Sequence, residues 1–434
     1  MRITSALFDP ALLELPWATP LAEWPADRLV TLPQGISRHV VRFVRLAGVV
    51  YAVKETPEAI AQREYDLLRQ LERLGAPAVE AVAIVAERAA PARDPAAPPG
   101  PARDPAAPPR PARDPAAPPS GLEPVLVTRH LQFSLPYRAL FSHTLRTDTM
   151  NRLLDALAAL LVRLHLSGFF WGDVSLSNTL FRRDAGAFAA YLVDAETGAQ
   201  HGALSRGQRA EDVEIAQVNI FGEMLDLAAG GLLHESIDPE GVAEDVVRRY
   251  ESLWHELTYE QEVAGVLDMR HHVEKRIRRL NELGFDAGEL QLSVDEQSYR
   301  VRPKVVDAGH HTRRLLRLTG LDAEENQARK LLNDLDTYRA ESDLDDEQQA
   351  AHRWLTEVFE PVVRAVPAQL RGKLEPTELF VQVIEHRWFM SEEVGRDVGL
   401  APAVHSYLAD ILAHRPDEQA VLGFEVAAGS GLHD

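Results

Sequence analysis

Lys54 ends an alternating apolar run that starts at Val49, so it shares a face with Ala52, and its compact ammonium can reach phosphate oxygens. The chain has five lysines among its 46 basic residues, and Lys54 is the sole one before Lys275. In a sequence that uses arginine almost everywhere a positive charge will serve, this position kept the point charge. Glu64, ten residues on, is a candidate to hold that ammonium in place.

Further along, Asp173 and Asn178 stand five apart in the stretch from Phe170 to Phe181. Phosphoryl transfer needs an oxygen that accepts or orients a hydroxyl proton and oxygen ligands for a divalent cation, and this pair supplies one of each. An apolar run, Tyr191 to Val193, then delivers Asp194 as the expected principal magnesium ligand. Glu196 would face the same side if the strand persisted and would offer a second carboxylate. The chemistry these residues could share is transfer from Mg-ATP, with Asp173 and Lys54 as catalytic residues, Lys54, Glu64, Asn178 and Asp194 around the nucleotide, and Asn178, Asp194 and Glu196 on the metal.

The elements that must position them can be read around each residue. Short β-branched runs predict strands at about Arg28 to Leu32, Val40 to Val44, Val49 to Val53, Val79 to Val85 and Val125 to Thr128. One helix interrupts them, from about Ala59 to Leu74. After Pro136 the pattern turns helical, with Leu153, Leu154, Leu157, Leu160, Leu161 and Leu164 on one buried face before Gly168. A hairpin of Asn178 to Phe181 and Ala190 to Val193 is expected across a polar turn, Arg182 to Gly186. Asp212 and Asn219, on the next helix, are expected to anchor the loop that bears Asp173. Beyond about Val266 come strands near Glu289 to Val294 and Ser298 to Val306, then helices, one of them with a capped start at Asp322 and Glu325.

The bulk numbers exclude several other classes. At 434 residues the chain needs two or three domains, and 45% hydrophobic with 26% charged residues is a globular balance. A formal charge of −20 repels nucleic acid and anionic lipid. With no cysteine, disulfides, thiolate zinc sites and cysteine nucleophiles are impossible, which fits a reducing cytoplasm. The first residues read as no signal peptide, and Asp155, Arg163 and His165 break the longest apolar run, so no membrane insertion is expected. A ten-residue repeat begins at Pro91, Pro101 and Pro111, with twelve prolines in thirty residues, and reads as an extended surface insertion. Lys54 lacks the flanking Gly and Ser/Thr of a Walker P-loop.

The order Lys54, Glu64, Asp173, Asn178, Asp194 resembles the protein-kinase-like phosphotransferases, above all the bacterial lipopolysaccharide (Kdo) kinases; aminoglycoside phosphotransferases are similar too. The resemblance spans about residues 28 to 235. It implies an α+β, bilobal protein-kinase-like fold with a small antiparallel-sheet N-lobe over 1–136, interrupted by the insertion at 90–121, a helical C-lobe over 137–265, and a mostly helical C-terminal domain over 266–434. It implies ATP and Mg2+ as cofactors and a small-molecule or glycan acceptor, with a protein hydroxyl next. The segments Gly309 to Gly320 and Glu385 to Trp388 resemble a helical extension of an uncharacterised bacterial family. Four departures stand out: a single Gly35 where the phosphate-covering loop should be glycine-rich, Trp171 and Gly172 in place of His-Arg, Ser175 in place of lysine, and Asp194-Ala195-Glu196 in place of Asp-Phe-Gly. The alternatives on the same residues are a nucleotide-binding pseudokinase scaffold and adenylyl transfer with the nucleotide reversed.

Overall fold

The structure, a computed structural model, describes residues 1–6, 9–30, 39–89, 121–141, 145, 147–234, 236–258, 261–263, 275, 278, 289–295, 298–304, 309–416 and 418. Gly35 and the proline-rich repeat lie outside the described residues.

A six-stranded antiparallel sheet forms the first part, in the order β1-β5-β8-β4-β3-β2. Its strands are β1 (Arg2–Ser5), β2 (Leu29–Val30), β3 (Val40–Leu46), β4 (Val49–Glu55), β5 (Glu80–Ala86) and β8 (Val125–Arg129). Strand β4 is interior, with Lys54 opposite Val41 of β3 and Leu126 of β8. The two faces of the sheet have different partners, as period-2 alternation demands. Tyr51 and Val53 pack under Leu12, Leu15, Trp17, Leu21 and Trp24, which lie in or beside 3₁₀ turns over Pro10–Glu14 and Leu21–Glu23. The opposite face, carrying Ala52 and Lys54, is left for helix α1 (Glu58–Arg73) and the site. The edge strand β1 and the tryptophan-bearing turns were not foreseen, because 3₁₀ turns leave no 2.0 or 3.6 periodicity to read.

The insertion leaves the sheet through a short ladder, β6 (Arg88–Ala89) against β7 (Gly121–Leu122). Gly121 is therefore a strand residue paired with Ala89, not the last residue of the insertion. Buried Arg88 ties this root down: it donates to Trp17 O at 2.8 Å, Thr19 O at 2.6 Å, Glu123 O at 2.7 Å and Glu55 Oε1 at 2.7 Å.

Next come β9 (Leu135–Pro136), the single turn α2 (Tyr137–Leu140), and the long helix α3 (Thr147–Leu166), whose leucine stripe lies in the largest apolar cluster. That cluster runs without a break from Leu68 and Leu71 of α1 through α3 to Ile220 of α4 (Arg206–Ala229) and Tyr250 of α5 (Pro239–Thr258). Short strands β10 (Phe169–Phe170) and β13 (Ala199–Gln200) pair and bracket the chemistry-bearing loops. Between them lies the hairpin of β11 (Thr179–Asp184) and β12 (Ala187–Leu192), which also pairs with β9.

This hairpin corrects one expectation. The turn is two residues, Ala185 with φ 53° and Gly186 with φ 91°, both left-handed as a tight hairpin turn requires. Arg182 and Asp184 are strand residues and are buried. They read as a solvated turn because their partners are far off in sequence, in the C-terminal helices.

Those helices are α6 (His310–Thr319), α7 (Glu325–Glu341), α8 (Glu347–Trp354), α9 (Glu360–Arg364), α10 (Pro376–Val394) and α11 (Leu400–Ser406), packed around Trp354, Phe359, Phe380 and Tyr407. Before them, β14 (Gln261–Val263), β15 (Glu289–Asp295) and β16 (Ser298–Lys304) form a small antiparallel sheet. The start of α7 also differs from expectation. Its cap is Glu324, with Gln327 completing the reciprocal box, not Asp322 with Glu325. Glu325 is recruited backwards instead, accepting from His311 N at 3.1 Å and Thr312 N at 3.2 Å at the open start of α6.

Candidate functional site

Three carboxylates surround Lys54. Its Nζ lies 3.0 Å from Glu64 Oε2, 2.7 Å from Asp194 Oδ2 and 2.8 Å from Glu196 Oε2. Strand β4 aims the ammonium inward, and buried Glu64 on α1 meets it. Asp194 and Glu196 follow the end of β12 at Leu192, so a turn and not a continuing strand brings them together. In that turn Asp194 Oδ1 accepts from Glu196 N at 2.9 Å, which folds the second carboxylate back toward Lys54. Arg63 of α1 steadies the same loop by donating to Gly198 O at 2.7 Å.

The charges shape one another. Burial works against the Lys54 ammonium, but Glu64 and Asp194 outweigh it and hold its pKa above the usual lysine value. Burial, reinforced by the Asp194 charge, pushes Glu64 up to about 8 despite Lys54. A hydrogen bond from His39 and others from Lys54 hold Glu196 down at about 2, although partial burial opposes them. His39 Nε2 sits 3.1 Å from Glu196 Oε2. Ligand oxygens of Glu64, Asp194 and Glu196 all lie within 4.8 Å of one another.

The loop from Trp171 to Asn178 carries the second half of the site. Both oxygens of Asp173 receive amide donors: Asn178 Nδ2 at 3.0 Å on Oδ2 and Asn219 Nδ2 at 3.1 Å on Oδ1. Asn178 also donates to Asp173 O, and Asn219 to Val174 O, each at 3.1 Å. Asp212 of α4, fully buried, accepts from Trp171 N at 2.7 Å and Gly172 N at 2.8 Å, and faces His165 Nε2 at 3.0 Å. Gly172 is needed where it stands: its φ is 75°, and a Cβ would meet the Phe170 ring at 3.1 Å and Thr197 O at 3.2 Å. The two halves are stitched together, because Trp171 Nε1 donates to Asp194 O at 2.9 Å and Thr197 Oγ1 to Trp171 O at 2.9 Å.

Ser175 is buried and structural. Its Oγ accepts from Asn178 N at 3.1 Å, and its carbonyl from Thr179 Oγ1 at 2.7 Å. Of the residues singled out from sequence, Lys54, Glu64, Asp194 and Glu196 form one charged cluster, Asp173 and Asn178 form a second, and Trp171 joins them; Gly35 is outside the described residues.

Sequence reasoning missed His39 and Glu223. Glu223 accepts from Leu176 N and Ser177 N, both at 2.8 Å. A signal for it was present: Asp212, Asn219 and Glu223 fall at i, i+7 and i+11, one polar line along an otherwise apolar helix face.

Residues 252–412 match a family model described as a domain of unknown function, DUF4032, which covers less than half of the chain. No curated protein matches the sequence. A solved structure of "WaaP in complex with acyl carrier protein" is 16% identical, over 65% of this chain and 99% of that one, with a TM-score of 0.36. An aminoglycoside-3'-phosphotransferase of type VIII is 15% identical, over 54% of this chain and 88% of that one, with a TM-score of 0.30. Among the described residues, no helix is long and apolar enough to cross a membrane.

Proposed function

We propose that the chain is an ATP-dependent phosphotransferase that moves a γ-phosphoryl group to a hydroxyl of a cell-envelope sugar or another small molecule. In this reading residues 1–136 and 137–265 act as two lobes around the nucleotide. One observation carries it: strand β4, helix α1 and the turn after β12 bring Lys54, Glu64, Asp194 and Glu196 into one cluster, tied through Trp171 to a loop that holds Asp173 by both carboxylate oxygens.

The donor set suits magnesium. It is all oxygen, anionic and partly open to solvent, with no thiolate or imidazole-rich cage that would favour a softer ion. Asn178, Asp194 and Glu196 would hold the ion, which when bound neutralises charge on the phosphate oxygens. Lys54, kept charged by Glu64, grips the phosphates as a point charge. Asp173 accepts the proton of the acceptor hydroxyl as the new P–O bond forms and the bond to ADP breaks. Asn178 and Asn219 keep that carboxylate aimed. The stretch containing Gly35 would cover the phosphates.

The test is incubation with ATP labelled separately at the α and γ positions, with cell extract as acceptor. Transfer of the γ label is expected. Asp194→Asn should abolish magnesium-dependent nucleotide binding, whereas Asp173→Asn should keep affinity within a few fold and lower turnover by roughly 10² to 10⁴, the usual worth of a positioned general base. Transfer of the α label would change the reaction to adenylyl transfer. No transfer, with both variants binding nucleotide like the wild type, would leave a nucleotide-binding scaffold.

A further inference from the structure

The hairpin β11–β12 is the mechanical link between the two halves of the site. Asn178 immediately precedes β11, and Asp194 follows β12 by two residues. At this end Val193 N donates to Asn178 O at 3.0 Å, so the ladder register sets where the two side chains stand relative to each other. A slip of one residue would turn every side chain of the strand to the other face.

The opposite end of the hairpin is held by the C-terminal helices. Arg182 Nη1 lies 3.0 Å from Glu324 Oε1, and its Nη2 pairs with Glu375. Asp184 Oδ2 accepts from Asn326 Nδ2 and Oδ1 from Gln327 N, both at 2.9 Å. The turn's own backbone is gripped as well: Ala185 N donates to Glu378 Oε2 at 2.8 Å, and Ala185 O accepts from Lys330 Nζ at 3.1 Å. Gln327 Nε2 binds Arg183 O at 2.8 Å, and Tyr191 OH donates to Glu324 Oε1 at 2.7 Å. Arg182 and Asp184 are each under a tenth exposed. A buried arginine and aspartate on one strand face are costly unless partnered, and among the described residues the ion-pair and hydrogen-bond partners of both side chains lie at the starts of two C-terminal helices, at Glu324, Asn326, Gln327 and Glu375. The hairpin is built to be completed by that segment.

We propose that the helical segment of residues 309–394 is a positioning element for the phosphotransfer site, fixing through Arg182, Asp184 and the Ala185–Gly186 turn the register in which the hairpin presents Asn178 and Asp194. This rests on the phosphotransferase reading. It gives the stretch matched to a family of unknown function a task that neither Asp173 nor Lys54 can perform: it touches no reacting atom and acts only through the hairpin.

The test uses the full-length protein, magnesium titration of the binding of a fluorescent ribose-labelled ATP analogue, and hydrogen exchange of the hairpin amides. Asp184→Ala should raise the half-saturating magnesium concentration about tenfold, roughly the worth of one hydrogen bond to a charged group, and speed exchange at Val193 and along β11 and β12. Asp184→Asn should stay within about twofold, because the Asn326 amide can flip to answer the new donor. Asn326→Ala, made on the extension side, should shift both readouts in the direction of Asp184→Ala and decides the matter if Asp184→Ala does not fold. Arg314→Ala, which removes an ion pair to Glu347 within the extension, should leave both readouts unchanged. A folded Asp184→Ala or Asn326→Ala protein with wild-type magnesium dependence and wild-type exchange overturns the positioning role and leaves the phosphotransferase reading standing. A wild type with no magnesium-dependent binding of the analogue sinks that reading and the positioning role with it.

Discussion

Replacing Lys54 by methionine removes the ammonium that three carboxylates share and tests the charge balance of the site directly. Ligand oxygens of Glu64, Asp194 and Glu196 lie within 4.8 Å of one another. At that separation and an effective dielectric constant of about 20, two charges repel by roughly 3.5 kcal/mol. Three such pairs would match the whole stability of an ordinary domain, about 5–15 kcal/mol, so the cluster must relieve itself by taking up a proton. Glu64 is the group to do so, being buried and already pushed up to about 8 with Lys54 present. The expected net loss is therefore that of a broken buried pair, about 3–5 kcal/mol, reduced by the partial exposure of Asp194. The sign with pH follows. Without Lys54 the Glu64 pKa, already raised, rises further in the folded state, so the stability its protonated form contributes is present at low pH and is lost as pH rises through that value. Thermal melting at about pH 6 and about pH 8, with and without magnesium, reads this out. The deficit of Lys54→Met should be larger at the higher pH, and millimolar magnesium should recover part of it by replacing the missing charge. A deficit below about 1 kcal/mol, the worth of a surface ion pair, or one independent of pH and magnesium, would refute the reasoning.

Asp212→Ala strips the acceptor from two amides, buried Trp171 N and half-buried Gly172 N, an orphaned buried amide being worth about 1–3 kcal/mol; urea unfolding should show a loss of roughly 2–4 kcal/mol, and turnover should fall with it. Removal of residues 91–120 should leave the melting temperature and nucleotide binding nearly unchanged, since that segment has no large apolar side chain to place in a core; a drop of more than a few degrees would refute its reading as a surface insertion.

Much of the first sheet was legible because its residues follow local rules. Alternation along Val49 to Lys54 gave the strand and its inward face, Glu64 was the candidate on the following helix and the two side chains meet, and the five-residue interval from Asp173 to Asn178 placed both in one loop, where they are hydrogen-bonded. What escaped the reading has three distinct physical causes. The 3₁₀ segment with Trp17 and Trp24 covers a whole sheet face without a periodic pattern. Glu196 reaches the cluster through an Asx-type turn, so the argument from strand alternation found the right residue for the wrong geometric reason. Arg182 and Asp184 follow the composition of a solvated turn, and only partners more than a hundred residues away make them interior.

The two buried charge networks also show why perturbed groups do not all mark chemistry. Around Arg182, the acids Glu324 and Asp184 are buried and the Glu375 side chain keeps 15% exposure, and burial pushes Asp184 and Glu375 up to about 7. Neutral donors from Asn326 and the Gln327 backbone answer both oxygens of Asp184 inside the fold, so this end of the network suits a joint. Around Lys54, Asp194 and Glu196 keep side-chain exposures of 28% and 15%. Three acids there compete for one ammonium, and a divalent ion or a phosphate arriving from solvent can enter that competition. A cluster that is both strained and open is poised to bind, whereas one that is equally perturbed but closed holds a fold together. The hairpin joins the two, with Asp184 at one end and Asp194 beyond the other. Substitutions around Arg182 should therefore report on the register of the site and those around Lys54 on its chemistry.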